Sequence, residues 1–140
     1  MNAETTVLVV TNRKGGSGKT TTSVNLAAEF AALGRRTLLV DLDTQGHCAV
    51  GLDVPTSRDT PTVHHLFRDS KARLLDAVHP TNWPNLSLIP ADPLFEHGMG
   101  TVGQLRLARA IADEELADRY DVILLDTPPS LDDLLLNALY

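Results

Sequence analysis

The order of the first thirty or so residues constrains the fold more than any compositional total. "TTVLVVT" (residues 5–11) is a short, β-branched, continuously apolar run, the pattern of a strand buried on both faces. "NRKGGSGKTTT" follows with no intervening spacer. Val24, Ala27, Ala28 and Ala31 then recur at helical spacing, and Gly34 follows as a C-terminal cap. Strand, glycine-rich turn and helix in that order is the context a phosphate-binding loop requires. Glycines let the backbone approach phosphate oxygens, and successive N–H groups form an anion nest at the positive end of a helix. Gly15, Gly16, Ser17 and Gly18 suit that nest. Lys19 would reach the β- and γ-phosphates, the Thr20 hydroxyl would ligate Mg²⁺, and Thr21 closes the binding segment. The bland alternative is a Gly/Ser turn, and "GKTTT" directly after "GGS" weighs against it.

The usual loop pattern, G-x-x-x-x-G-K-[ST], places a glycine where this chain has Arg13, and an additional lysine, Lys14, precedes the glycines. The rest of the chain repeats the strand–helix alternation. "RTLLVDLD" (36–43) reads as a buried strand with acids at its end. "TVHHLF" and "ARLLDAV" read as short helices between Pro-rich turns. "NLSLIPAD" (85–92) reads as a strand, and "QLRLARAIADEELADRY" as a helix with Leu105, Ala108, Ala112 and Leu116 on one stripe. "YDVILLDTPPS" (120–130) is a buried strand running into a Pro-Pro turn, and "LDDLLLNALY" starts another helix. Strands alternating with helices imply right-handed crossovers and a mainly parallel, twisted sheet with helices on both faces, an α/β fold in one domain over residues 1–140. A last helix apolar on most sides needs cover, so the chain is expected to be one part of a longer domain or to depend on a partner.

Charge sharpens the reading. The net charge is −6, yet residues 1–36 hold five Lys/Arg against two Asp/Glu. The basic part coincides with the glycine segment, where a polyanion would sit, while the acidic bulk argues against nonspecific DNA binding by this chain alone. Aromatics at 4% disfavour a base-stacking platform. A single cysteine, Cys48, excludes a disulfide framework within the chain and fits a reducing compartment. No basic leader or long apolar run is present, so a cytoplasmic protein is expected.

"KGGSGKT" resembles the deviant Walker A motif, K-G-G-x-G-K-[ST], of the ParA/MinD family of P-loop ATPases. The resemblance implies that Lys14 reaches across a nucleotide-sandwich dimer to phosphates held by the other subunit. A cation arriving only on dimerisation stabilises transition-state charge as an arginine finger does. "DLDTQGH" (41–47) resembles the family's D-x-D-P-Q-G-N switch I, which implies that Asp43 handles the attacking water and places Asp41 in the shell around Mg²⁺. Thr44 stands where proline is usual, and His47 where asparagine is usual. "YDVILLDTPPS" resembles Walker B with switch II, where Asp126 would hold a water on Mg²⁺ and Thr127, Pro128 and Pro129 would form a stiff hinge. The catalytic set implied is Lys14, Lys19 and Asp43; the metal set is Thr20, Asp41 and Asp126.

The Gln45–Gly46 pair and the middle region resemble ParA more than MinD. The implied function is a partitioning ATPase that binds Mg-ATP, dimerises, and switches its binding to DNA and to a ParB-like activating partner, with a plasmid, chromosome or large assembly as cargo. The family's domain is longer than this chain, and its adenine contacts and DNA-binding residues have no counterpart to carry over. Two other readings compete. A MinD-like membrane-associated ATPase needs a basic amphipathic anchor, whereas this chain ends in acidic "LDDLLLNALY". A fragment that binds nucleotide without turnover is the third. His47, His64, His65, His79 and His97 match no ligand spacing and are read as solvated or core residues. Cys48 is read as a small buried residue. One cysteine also argues against a cluster-bridging dimer of the nitrogenase iron-protein kind.

Overall fold

The computed structural model describes residues 4–10, 17–43, 47–57, 59–67, 71–92 and 100–127. Among the described residues five strands form one sheet: β1 (Thr6–Val10), β2 (Thr37–Asp41), β3 (His79–Pro80), β4 (Leu86–Ile89) and β5 (Val122–Asp126). The helices are α1 (Ser17–Ala32), α2 (His47–Gly51), α3 (Gly100–Ile111) and α4 (Glu114–Arg119), with 3-10 turns at Val63–Phe67 and Leu74–Ala77. The strand order is β1-β5-β2-β4-β3. β1, β5, β2 and β4 run parallel, and β3 is antiparallel to β4 at the edge.

Side-chain alternation along the strands divides the core between the two faces of the sheet. Leu38 and Val40 of β2 and Ile123 and Leu125 of β5 pack with Leu107, Ile111 and Leu116 from α3 and α4. Leu39, Val122 and Leu124 pack with Ala27 and Ala31 of α1 and Cys48 and Ala49 of α2. The expected mainly parallel sheet with helices on both faces is therefore present. Leu38, Leu39, Ile123, Leu124 and Leu125 are fully buried, and each such side chain contributes about 1.5–3 kcal/mol relative to exposure.

The joint between α1 and β2 follows from a single glycine. Gly34 has φ +83°, a left-handed conformation that costs a side chain strain. Its N–H donates to Ala31 O at 3.0 Å, and the Arg35 N–H donates to Phe30 O at 3.1 Å. That pair of bonds is the Schellman arrangement, which satisfies the last carbonyls of the helix. It delivers Thr37 directly into the sheet, where its N–H donates to Asn85 O at 2.8 Å. At the same end Arg36 forks onto Asp121, with Nη2 2.9 Å from Oδ1, and pins the start of β2 to the start of β5.

Three expectations need correction. β1 was expected to be buried on both faces, but Val7 to Val10 are only half-buried and Thr6 is exposed. Among the described strands β1 has a single neighbour, β5, so among the described residues one of its edges is unpaired. The expected helix from residue 104 to 120 is two helices. Asp113 accepts a bond from the Glu115 N–H at 2.9 Å and starts α4 afresh, because a short acidic side chain at that place satisfies a free helical N–H. The buried set is accordingly Leu107, Ala108, Ile111 and Leu116, and Ala112 is exposed; Leu105 carries no described side-chain environment. Strand β3 was not expected at all, since two residues that include a proline give no period-2 signal. The final "LDDLLLNALY" segment lies outside the described residues. Among the described residues no helix is long and apolar enough to cross a membrane.

Candidate functional site

In an open parallel sheet, ligands bind beyond the C-terminal ends of the strands, and three predicted elements meet there. β1 ends at Val10 and α1 begins at Ser17. Lys14, Gly15 and Gly16, together with Arg13, lie outside the described residues. Ser17, Gly18, Lys19, Thr20 and Thr21 form the first turns of α1. Thr127 ties the neighbouring strand ends together: its N–H donates to Val10 O at 3.4 Å, and its hydroxyl reaches the same oxygen. The expected hinge prolines, Pro128 and Pro129, and switch residue Thr44 lie outside the described residues.

Asp41 and Asp126 are the last residues of β2 and β5 and are register partners. Parallel pairing puts both side chains on adjacent strands at the same height. Both are buried, at 1% and 0% exposure. The ladder continues one step further, with the Leu42 N–H donating to Asp126 O at 2.8 Å. Asp41 is anchored by backbone donors: the Asp43 N–H meets Oδ1 at 3.0 Å, and the Cys48 N–H meets Oδ2 at 3.4 Å. Asp41 thus does cap the turn that follows it, as well as facing the site. Asp43 sits beyond the strand end and is half-buried, so the two acids of "DLD" differ in burial.

The third member of the cluster is Cys48, at the start of α2. Its thiol donates to Asp126 Oδ2 at 3.0 Å, and it is fully buried. One ligand atom from each of Asp41, Cys48 and Asp126 lies within 4.8 Å of the others. Burial pushes the Asp41 carboxyl up to about 7, helped by the nearby Asp126 charge and opposed by the amides of Asp43 and Cys48. Burial, and then the two carboxylates, push the Cys48 thiol far up, so it stays protonated and able to donate. Sequence reasoning classed Cys48 correctly as buried but missed this contact. The signal was its place in the short turn between the aspartates of β2 and the next buried segment.

Three of the described histidines make bonds to the backbone. His64 is buried, and its Nδ1 accepts the Asp92 N–H at 2.9 Å. His65 Nδ1 accepts the Thr62 N–H at 2.9 Å, and His79 Nε2 lies 3.1 Å from Pro61 O. His47 is exposed at the start of α2, and His97 lies outside the described residues. Among the described residues, the three-residue cluster that could hold a metal contains no histidine.

Residues 5–140 match the AAA domain family. The chain is similar to the chromosome-partitioning ATPase Soj of Thermus thermophilus, at 44% identity over 140 residues, covering 99% of this chain and 52% of that protein. Its fold is similar to cobyrinic acid a,c-diamide synthase from Mycobacterium smegmatis, solved with an ATP analogue and magnesium. That match has TM-score 0.76 and 34% identity, over 96% of this chain and 55% of the other. It is also similar to the septum site-determining protein MinD of Pyrococcus horikoshii complexed with Mg-ADP, with TM-score 0.75 and 29% identity over 96% and 54%. The chain spans about half the length of the relatives it matches. With the glycine segment at the head of α1, the paired aspartate strands and these likenesses together, the chain belongs to the ParA/MinD family of P-loop ATPases.

Proposed function

We propose that this chain is the nucleotide-binding part of a ParA-type partitioning ATPase, one that binds Mg-ATP and hydrolyses it within a nucleotide-dependent sandwich dimer. The observation that carries the reading is the pair of buried, register-matched aspartates, Asp41 and Asp126, at adjacent strand ends. The likeness to Soj, a chromosome-partitioning ATPase, supports it.

The donor chemistry fits magnesium. Mg²⁺ favours oxygen ligands and keeps several waters, so two carboxylates at one end of the sheet suit it, whereas the Cys48 thiol does not ligate such a hard ion. Thr20, Asp41 and Asp126 would hold it, and when bound it neutralises charge on the phosphate oxygens. Gly15 to Thr21 would cradle the phosphates through backbone N–H groups. Lys19 would neutralise the β- and γ-phosphates, Lys14 would arrive from the second subunit, and Asp43 would orient the attacking water. A ParB-like activator, DNA, and a cytoplasmic, nucleoid-associated location belong to the same proposal.

The test is steady-state ATP hydrolysis by the purified chain, with and without DNA, beside Lys14→Ala and Asp43→Ala. Turnover lost in both variants supports a dimer-dependent hydrolytic site. A second reading is that the chain binds nucleotide without turning it over. It is favoured by the half-length coverage of the relatives. Absent turnover together with a melting temperature raised by Mg-ATP selects that reading.

A further inference from the structure

We propose that Cys48 is a positioning residue: it ties helix α2 to Asp126 and fixes the orientation of the carboxylate that the magnesium site uses. The inference rests on the Mg-nucleotide reading of the site.

The contact with Asp126 is made by the Cys48 side chain, and the contact with Asp41 by its backbone. Cys48 addresses both acids at once, through its S–H to Asp126 Oδ2 at 3.0 Å and its N–H to Asp41 Oδ2 at 3.4 Å. Those acids end strands β5 and β2, while Cys48 belongs to a separate helix that begins only a few residues after Asp43. A cysteine serving only as packing would turn its sulfur into the apolar cluster of Ala27, Leu39 and Leu124 that surrounds it. Here the sulfur also meets a carboxylate. α2 itself is held by packing: Ala49 and Leu52 are buried, and the Val54 N–H donates to Ala49 O at 2.9 Å. A five-residue helix does not persist alone, so its position is set by these contacts, and the Cys48–Asp126 bond transmits that position to the strand end. A displacement of α2 would therefore break the thiol contact with Asp126 Oδ2, and a correctly seated α2 would help to orient the carboxylate that would hold the metal. Partners of metal-site carboxylates act in this indirect way, and their removal costs roughly 10–100-fold in metal affinity.

The experiment titrates Mg²⁺ against the thermal shift of the full chain in saturating ADP, for the unmodified protein, Cys48→Ala and Cys48→Ser. ADP affinity in EDTA is measured alongside. The expected result is a half-saturating Mg²⁺ concentration raised about tenfold in Cys48→Ala, with metal-free ADP affinity unchanged and Cys48→Ser within about twofold of the parent, because a hydroxyl restores the donor. An unchanged Mg²⁺ midpoint in Cys48→Ala overturns the proposal, as does a serine variant displaced as far as the alanine one. If Cys48→Ala loses its cooperative melt, the serine variant decides: a parental midpoint supports the role, a raised one refutes it. If the unmodified chain gains nothing from Mg²⁺ in ADP, the nucleotide-site reading falls and takes this inference with it. A Mg²⁺ response that ignores Cys48 sinks the inference alone.

Discussion

Asp41→Asn separates the cost of a buried charge from the value of the bonds it makes. The Asp41 carboxyl is pushed from 3.8 to about 7, first by burial and then by Asp126. A group whose folded pKa lies above its unfolded value binds its proton more tightly when folded. Its contribution to stability is therefore complete below pH 3.8 and is lost as the pH rises through 7. A shift of about three units at ~1.4 kcal/mol each makes the ionised residue cost about 4 kcal/mol in the metal-free protein above neutrality. Asparagine removes that cost. It can keep the bond from the Asp43 N–H, but it turns an amide NH₂ toward the Cys48 N–H that Asp41 now accepts. That mismatch costs about 1–2 kcal/mol. The variant should thus be less stable than the parent by ~1–2 kcal/mol near pH 4 and more stable by ~2–3 kcal/mol near pH 8. Urea unfolding followed by circular dichroism, in EDTA and without nucleotide, gives both values. A stability difference that stays constant from pH 4 to pH 8 would refute the argument, because it would mean that Asp41 carries no ionisation cost.

Four further substitutions test other parts of the account. Lys19→Ala should abolish the heat of Mg-ATP binding in titration calorimetry; undiminished binding would remove the basis for the phosphate loop. Gly34→Ala has open space around its new methyl, so the φ of +83° alone should cost about 1 kcal/mol in thermal unfolding; a neutral substitution would mean that the cap relaxes freely. Leu124→Ala, at the centre of the sheet with 0% exposure, should cost about 2–5 kcal/mol, whereas Val50→Ala, 81% exposed, should stay within about 0.5 kcal/mol.

The features legible in the sequence were those with short-range signatures. β2 and β5 are apolar runs closed by an acid, and their pattern holds because both faces of the sheet are covered. Gly34 was readable because a left-handed cap excludes most other residues. The break before α4 was missed because Asp113 acts through one hydrogen bond, while the apolar spacing on either side continues almost in phase. The half-exposure of β1 was missed because burial depends on strand order, and order is a long-range property that no local pattern encodes. Cys48 was underestimated for the same reason: its partner stands 78 positions away in the chain. The family motif named Asp41 and Asp126, but it carried no information about a thiol between them.

The strand order has one consequence for how the protein is made. β5 lies between β1 and β2, so these two strands, made one after the other, are not neighbours and cannot pair in their final positions. The strand that joins them arrives roughly 80 residues after β2 ends, about 4–16 s later at ordinary rates of synthesis. Throughout that interval Leu38 to Val40, and the aspartate after them, wait without their central neighbour. The nascent chain is therefore sticky for longer than its size alone would require, and its two acidic strand ends come together only once translation has passed Asp126.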